Sequence, residues 1–190
     1  MTKYELEGIW NYYLSLESDI SNTSRYIEPS GQEDVYSFEF AKLLILACTE
    51  IESVFKTICF EVVGKQPEGN ISKYKEIILG KYPKIVNASV TVRRLSKNIE
   101  PFQGWSTGPL FWWSAYQEVK HSRGSHFNQA TYKNAVYSIA ALYVLILYLA
   151  KITNIHLTSF ESSYIVSKYS MQAAYIGPTK LLPDFEVTHK

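Results

Sequence analysis

The spacing of apolar residues divides most of the chain into helical segments separated by polar punctuation. Leu6, Ile9, Trp10, Tyr13, Leu16 and Ile20 recur near a 3.6-residue period and predict an amphipathic helix over 3–20. Asn22, Pro29, Ser30 and Gly31 then mark a loop. Phe40, Leu44, Ala47, Ile51, Val54, Ile58 and Val62 keep the helical period over 36–63, and Gly64, Pro67 and Gly69 end it. A short helix over 72–79 stops at Gly80, with Pro83 just beyond. The stretch 88–95 is open between a short strand and a helix start. Gly104 and 106–109 form a loop, and Pro109 suits the first turn of the next helix with Thr107 or Gly108 as cap. That helix covers 110–121, and Gly124 breaks it. The last long helix begins near Asn128, a good N-cap, and runs to Ile152.

These segments predict an all-α bundle over 1–153 in which the helices 36–63, 110–121 and 128–152 pack together. The central pair is expected to be antiparallel or nearly so, sharing Leu44, Ile51, Ile58, Ile139, Leu142 and Ile146 in one core. Beyond Thr153 the pattern weakens. Tyr164, Ile165, Tyr169, Met171, Tyr175, Leu181, Leu182 and Phe185 are scattered among Ser, Gly and Pro. They predict an irregular arm over 154–190 that covers apolar surface of the bundle or of a partner, because so many bare aromatics would be a liability.

A chain of 190 residues is one domain by length, long enough to bury a core without disulfides or metals. Its 46% hydrophobic content and 19% charge exclude a disordered chain. Fifteen Tyr, nine Phe and four Trp supply aromatic surface suited to half-buried positions and interfaces. Cys48 and Cys59 lie roughly 16 Å apart along one predicted helix, beyond the about 7 Å between Cα atoms that a disulfide allows. They read as small buried hydrophobes and fit the reducing cytoplasm. Tyr4, Glu5 and Glu7 interrupt any leading signal sequence. The longest uncharged apolar stretch, 135–150, falls short of the roughly 20 residues that span a bilayer. It also carries Tyr137, Ser138, Tyr143 and Tyr148, so the expectation is the central helix of a bundle and no membrane.

Charge is unevenly placed. Residues 1–62 hold four Lys or Arg against eleven Asp or Glu, whereas 63–98 hold eight against two. The basic segment comprises Lys65, Lys73, Lys75, Lys81, Lys84, Arg93, Arg94 and Lys97. It suits a phosphate backbone, or it docks on the acidic first third of the same chain or of a second copy. The internal or solvated reading is favoured, since charge blocks usually serve pairing and solubility. Opposite charge blocks, surplus aromatics and the C-terminal arm together predict a homodimer.

The densest reactive cluster is 116–126, which holds Tyr116, Gln117, Glu118, Lys120, His121, Arg123 and His126 at a helix–turn–helix junction. Zinc is disfavoured, because His121 and His126 stand five apart across a helix break with neither Cys near. No G-x-S-x-G elbow is present for a serine nucleophile. Metal-free RNA cleavage needs only a base for the 2′-hydroxyl and a cation for the phosphorane, which a His and a Lys or Arg supply without a cofactor. Bland readings stand beside these. Lys120, His121 and Arg123 are favoured near a helix C-terminus by its dipole alone. Trp112, Trp113 and Tyr116 suit a core better than a base-stacking platform. Glu50 and Glu52 flank the core stripe; either one would partner His121 or Lys120 if it pointed inward, and both otherwise belong to a solvated face.

Two apolar helices, a polar junction carrying a His and a long apolar helix resemble the HEPN superfamily (higher eukaryotes and prokaryotes nucleotide-binding) over about 36–150. Its hallmark is an Arg, usually followed by Asn, and a His after four intervening positions at shortest. On that spacing His121 takes the His position, Gln117 stands where Asn is usual, and Tyr116 occupies the place of the Arg. Tyrosine carries no fixed charge, so Lys120 or Arg123 would have to substitute from another direction. The string Trp113-x-x-Tyr116-x-x-Val119-Lys120-His121-x-Arg123, followed by Asn134, is also similar to small bacterial helical proteins of this type.

The resemblance implies a metal-independent endoribonuclease of bacterial toxin or phage-defence type, dimeric, with His121 as base and Lys120 or Arg123 steadying phosphate. Tyr116, Gln117, Glu118, His126, Arg93 and Arg94 would then contact RNA or nucleotide, and a cognate protein partner is a further expectation. The alternative is a non-catalytic interaction or nucleotide-sensing module. A His121 sealed in the core, or away from any groove, would point to that alternative.

Overall fold

A computed structural model describes residues 1–65, 68–155, 176–180 and 182–185. Five helices carry the fold: α1 Lys3–Thr23, α2 Phe38–Val63, α3 Ile71–Lys81, α4 Phe111–His126 and α5 Tyr132–Ile152. α1 opens on a capping box, in which the Glu5 N–H donates to the Thr2 hydroxyl at 3.2 Å and the Thr2 N–H to the Glu5 carboxylate at 2.7 Å. The Ser37 hydroxyl caps α2 by accepting the Phe40 N–H. Gly64 closes α2 at φ 73°, the left-handed position that favours glycine. α3 runs through Gly80 to Lys81, one residue past the expected stop.

α1 lies antiparallel on α2. Its start meets the end of α2 through the Met1 ammonium and Glu61 at 3.3 Å, and its end meets the start of α2 through Asp19 and Lys42 at 3.6 Å. α2 and α5 share the largest helix–helix contact, and here the antiparallel expectation is corrected. Tyr36 and Thr131, just ahead of the two helices, form a β-bridge. The Tyr132 N–H donates to the Val35 carbonyl at 2.9 Å and the Ser37 N–H to the Ala130 carbonyl at 3.2 Å. This clamp ties both helix starts to one end of the bundle, so the pair runs side by side in the same direction. The expected core forms nonetheless: Leu44, Ile51, Ile58, Ile139, Leu142 and Ile146 are each at most 1% exposed. Burying such a side chain contributes about 1.5–3 kcal/mol.

α5 is long and apolar enough to cross a membrane, but 72% of its most apolar stretch is buried inside the protein. Its apolarity is used on all sides by α1, α2 and α4.

Two helix starts differ from expectation. α4 begins at Phe111 without a side-chain cap, because Thr107 is engaged in closing the preceding loop onto the Gly104 carbonyl. α5 begins at Tyr132 under a Thr131 cap, not at Asn128. The bridge to Tyr36 holds Thr131 extended, so a continuous helix cannot pass through it, and Asn128 falls in a separate 3-10 turn.

The open stretch 88–95 resolves as a strand, β1 Ser89–Val92, followed by a 3-10 turn. β2 Lys97–Ile99 pairs antiparallel on one edge with Val90 opposite Ile99, and β3 Ile176–Lys180 pairs antiparallel on the other. The protein is therefore mainly helical, as the fold class expected, with a small three-stranded sheet among the described residues. Apolar alternation explains β1: Val90 and Val92 are buried while Ser89 and Thr91 are half-buried.

The described parts of 154–190 pack on the bundle. Asp184 accepts the Lys84 N–H at 2.9 Å and the Tyr148 hydroxyl at 2.8 Å, and the Phe185 ring centre lies 5.3 Å from Tyr82. Tyr164, Ile165, Tyr169, Met171, Tyr175 and Leu181 lie outside the described residues.

Candidate functional site

α4 is held to the bundle by its aromatic first turns. Trp112 and Trp113 are buried, Trp112 Nε1 donates to the Pro101 carbonyl at 2.8 Å, and Trp113 packs on Phe55 of α2. These rings are core, as their chemistry suggested, and offer no stacking surface. The helix bends at Ser122, whose φ of −141° and ψ of 40° are not helical. Gly124, expected to break the helix, sits inside the last turn instead. A bend at negative φ needs no glycine, so the polar junction turns without using its conformational freedom.

Tyr116 is 1% exposed, with its ring T-shaped against Trp113 at 5.2 Å. One turn later Lys120 folds back over it and Nζ donates to the Tyr116 hydroxyl at 3.1 Å. That hydrogen bond holds the Lys120 pKa above the usual lysine value, with a smaller contribution from the charge of Glu52. The position of the motif arginine thus contributes an acceptor that fixes a neighbouring ammonium.

Lys120, Gln117, Glu118, Trp113, Tyr74 and Glu52 line an open groove of about 590 Å³ between α4, the start of α3 and α2. Its charge is mixed, since Glu52 is paired with Lys56 at 3.0 Å and Glu118 adds a second carboxylate. Glu52 is the acid that faces α4. Glu50 looks instead into a second groove beside Tyr12 of α1, where burial raises its pKa.

His121 follows the last lining residue and is exposed, as are Ser122, Arg123 and Ser125. His126 is half-buried, with Nδ1 3.0 Å from the Ser125 hydroxyl. Neither His121 nor Arg123 makes an ion pair among the described residues, and no side chain orients His121 there. Among the described residues no three His, Cys, Asp or Glu side chains converge as a metal would require.

The basic segment is arranged otherwise. Arg94 pairs with Glu28 at 3.3 Å and Lys97 with Glu33 at 3.2 Å, so these two cations dock on the acidic first third of the same chain. Arg93 sits on the same 3-10 turn, close enough to Tyr143 of α5 to act on its ionisation. The structure assembles Tyr116, Gln117, Glu118 and Lys120 and leaves His121, Arg123 and His126 at their edge. No described contact brings Arg93 or Arg94 to them.

Sequence reasoning passed over an exposed aromatic group at this end of the bundle. Tyr36 and Phe38 are 52% and 74% exposed, and their ring centres lie 5.6 and 4.7 Å from Phe127. A signal existed: Phe38 precedes Phe40 by two residues, about 200° around the helix and so off its buried stripe. No family model matches the chain, and no curated protein or solved structure gives a significant match.

Proposed function

We propose that this is a HEPN-like helical protein, of the bacterial toxin or phage-defence type, that binds RNA phosphate with the end of α4. The observation that carries this reading is the contrast between two sets of cations. Arg94 and Lys97 are neutralised by carboxylates of their own chain, whereas Lys120 is held by an uncharged tyrosine and Arg123 is exposed and forms no ion pair among the described residues. Exposed cations that form no ion pair attract a polyanion, and His121 and His126 add donors on the same stretch.

The geometry favours binding over cleavage in a single chain. A base must be oriented to within a fraction of an ångström, and His121 has no side chain holding it. The guanidinium that would stabilise a phosphorane is replaced by a buried tyrosine. A ribonuclease reading keeps one observation in its favour, the Tyr116–Lys120 hydrogen bond, which fixes the ammonium of the residue that precedes His121. Cleavage would then use His121 as base and Lys120 as the stabilising cation.

The experiment is incubation with mixed RNA in EDTA, with His121→Ala alongside, together with binding measured over a range of salt. Salt-dependent binding without cleavage is the expected result. Cleavage abolished by His121→Ala with binding retained establishes the enzyme reading, because a base acts on the chemical step. Absence of salt-dependent binding removes both.

A further inference from the structure

Scattered single hydrophobics on a surface are ordinary, but two exposed aromatic rings that both meet a third form a patch that calls for an occupant. Phe38 is the first residue of α2, and its ring meets Phe127 on one side while 74% of its surface stays in solvent. Tyr36 meets the same Phe127 edge-on, and the bridge from Tyr36 to Thr131 fixes its backbone. Phe127 directly follows His126 and stands four residues after the exposed Arg123, so this patch adjoins the end of α4 that carries that cation. Aromatic faces beside a phosphate-attracting track are the two components that grip a single-stranded nucleic acid.

We propose that Tyr36, Phe38 and Phe127 form a stacking platform for an unpaired base of the strand whose phosphates lie along α4. The inference rests on the phosphate-binding reading above and adds the form of the ligand. Bases inside a duplex are already stacked on each other and present no free face, so the platform selects a single strand, a loop or an overhang. A second copy of this chain is the competing occupant.

Fluorescence anisotropy tests this with three labelled probes of equal length: a single-stranded RNA, the same strand in a duplex, and a ribose-phosphate oligomer without bases. Wild-type protein is expected to hold the single strand about tenfold more tightly than the abasic oligomer, the scale of one stacked base. Phe38→Ala should abolish that difference while leaving abasic binding and the salt slope as in wild type. Phe38→Leu, which keeps an apolar contact with Phe127 but offers no aromatic face, should behave like Phe38→Ala. Phe38→Ala binding the single strand as wild type does, while Arg123→Glu still weakens all three probes, overturns the platform and leaves the phosphate reading standing. A wild type that binds none of the probes overturns both. Sedimentation showing that Phe38→Ala turns a dimer into a monomer with RNA binding unchanged assigns the patch to self-association and overturns the platform.

Discussion

Reversing one charge at a time distinguishes the two candidate phosphate tracks. Arg123→Glu alters the exposed end of α4, and Arg94→Glu alters the turn after β1, where the guanidinium already faces Glu28 at 3.3 Å. Each cation neutralising a phosphate of a single strand contributes about 0.7 to the slope of log affinity against log salt. With Lys120 and Arg123 as the fixed charges the slope is about 1.4, or roughly a sevenfold loss of affinity between 50 and 200 mM salt. Arg123→Glu should halve the slope to about 0.7 and lower the affinity at every salt concentration. Arg94→Glu should leave the slope unaltered, since Arg94 is already counterbalanced, and place two carboxylates side by side at a stability cost of less than about 1 kcal/mol. Anisotropy titrations of a labelled single strand at four salt concentrations read both quantities. A slope flattened by Arg94→Glu and untouched by Arg123→Glu would refute the assignment and move the track to the sheet end.

Other expectations follow from burial and ionisation. Phe55 is fully buried against Trp105 at 5.3 Å, so Phe55→Ala should cost about 3–5 kcal/mol, whereas exposed Phe38→Ala should stay within about 0.5 kcal/mol; urea denaturation compares them, and similar midpoints would contradict the core described. Burial raises the Glu50 pKa above its unfolded value, so the folded state binds the proton more tightly and stability falls as pH rises from the ordinary carboxylate range through the raised value. Glu50→Gln should remove that fall and be no less stable at neutral pH; an unchanged pH profile of the melting temperature would show that Glu50 is not its source. Burial also raises the thiol pKa of Cys48 well above normal and that of Cys59 to about 11, so neither should react with a thiol reagent at pH 8 until the protein unfolds. Rapid native labelling of either would contradict its placement.

Much of the candidate site was legible as composition and little of it as geometry. The density of reactive groups in 116–126 and the lone exception of Tyr116 are visible in the string of residues. That Tyr116 is sealed in the core and acts through Lys120 depends on Trp113 and on the packing of α4 against Phe55. The partners of Arg94 and Lys97 lie 66 and 64 residues away, and periodicity carries no information over such a distance.

What the sequence by itself determined is local. The helical stripe of α2, its end at Gly64, the short α3 and the apolar wrap of α5 follow from residue spacing and backbone chemistry within a few turns. The choice between Glu50 and Glu52, the start of α5 at Tyr132 and the shared direction of α2 and α5 belong to the tertiary structure. The bridge between Tyr36 and Thr131 shows why. It joins backbone groups 95 positions apart, so no local pattern encodes it, yet it sets where both helices begin and which of their faces meet.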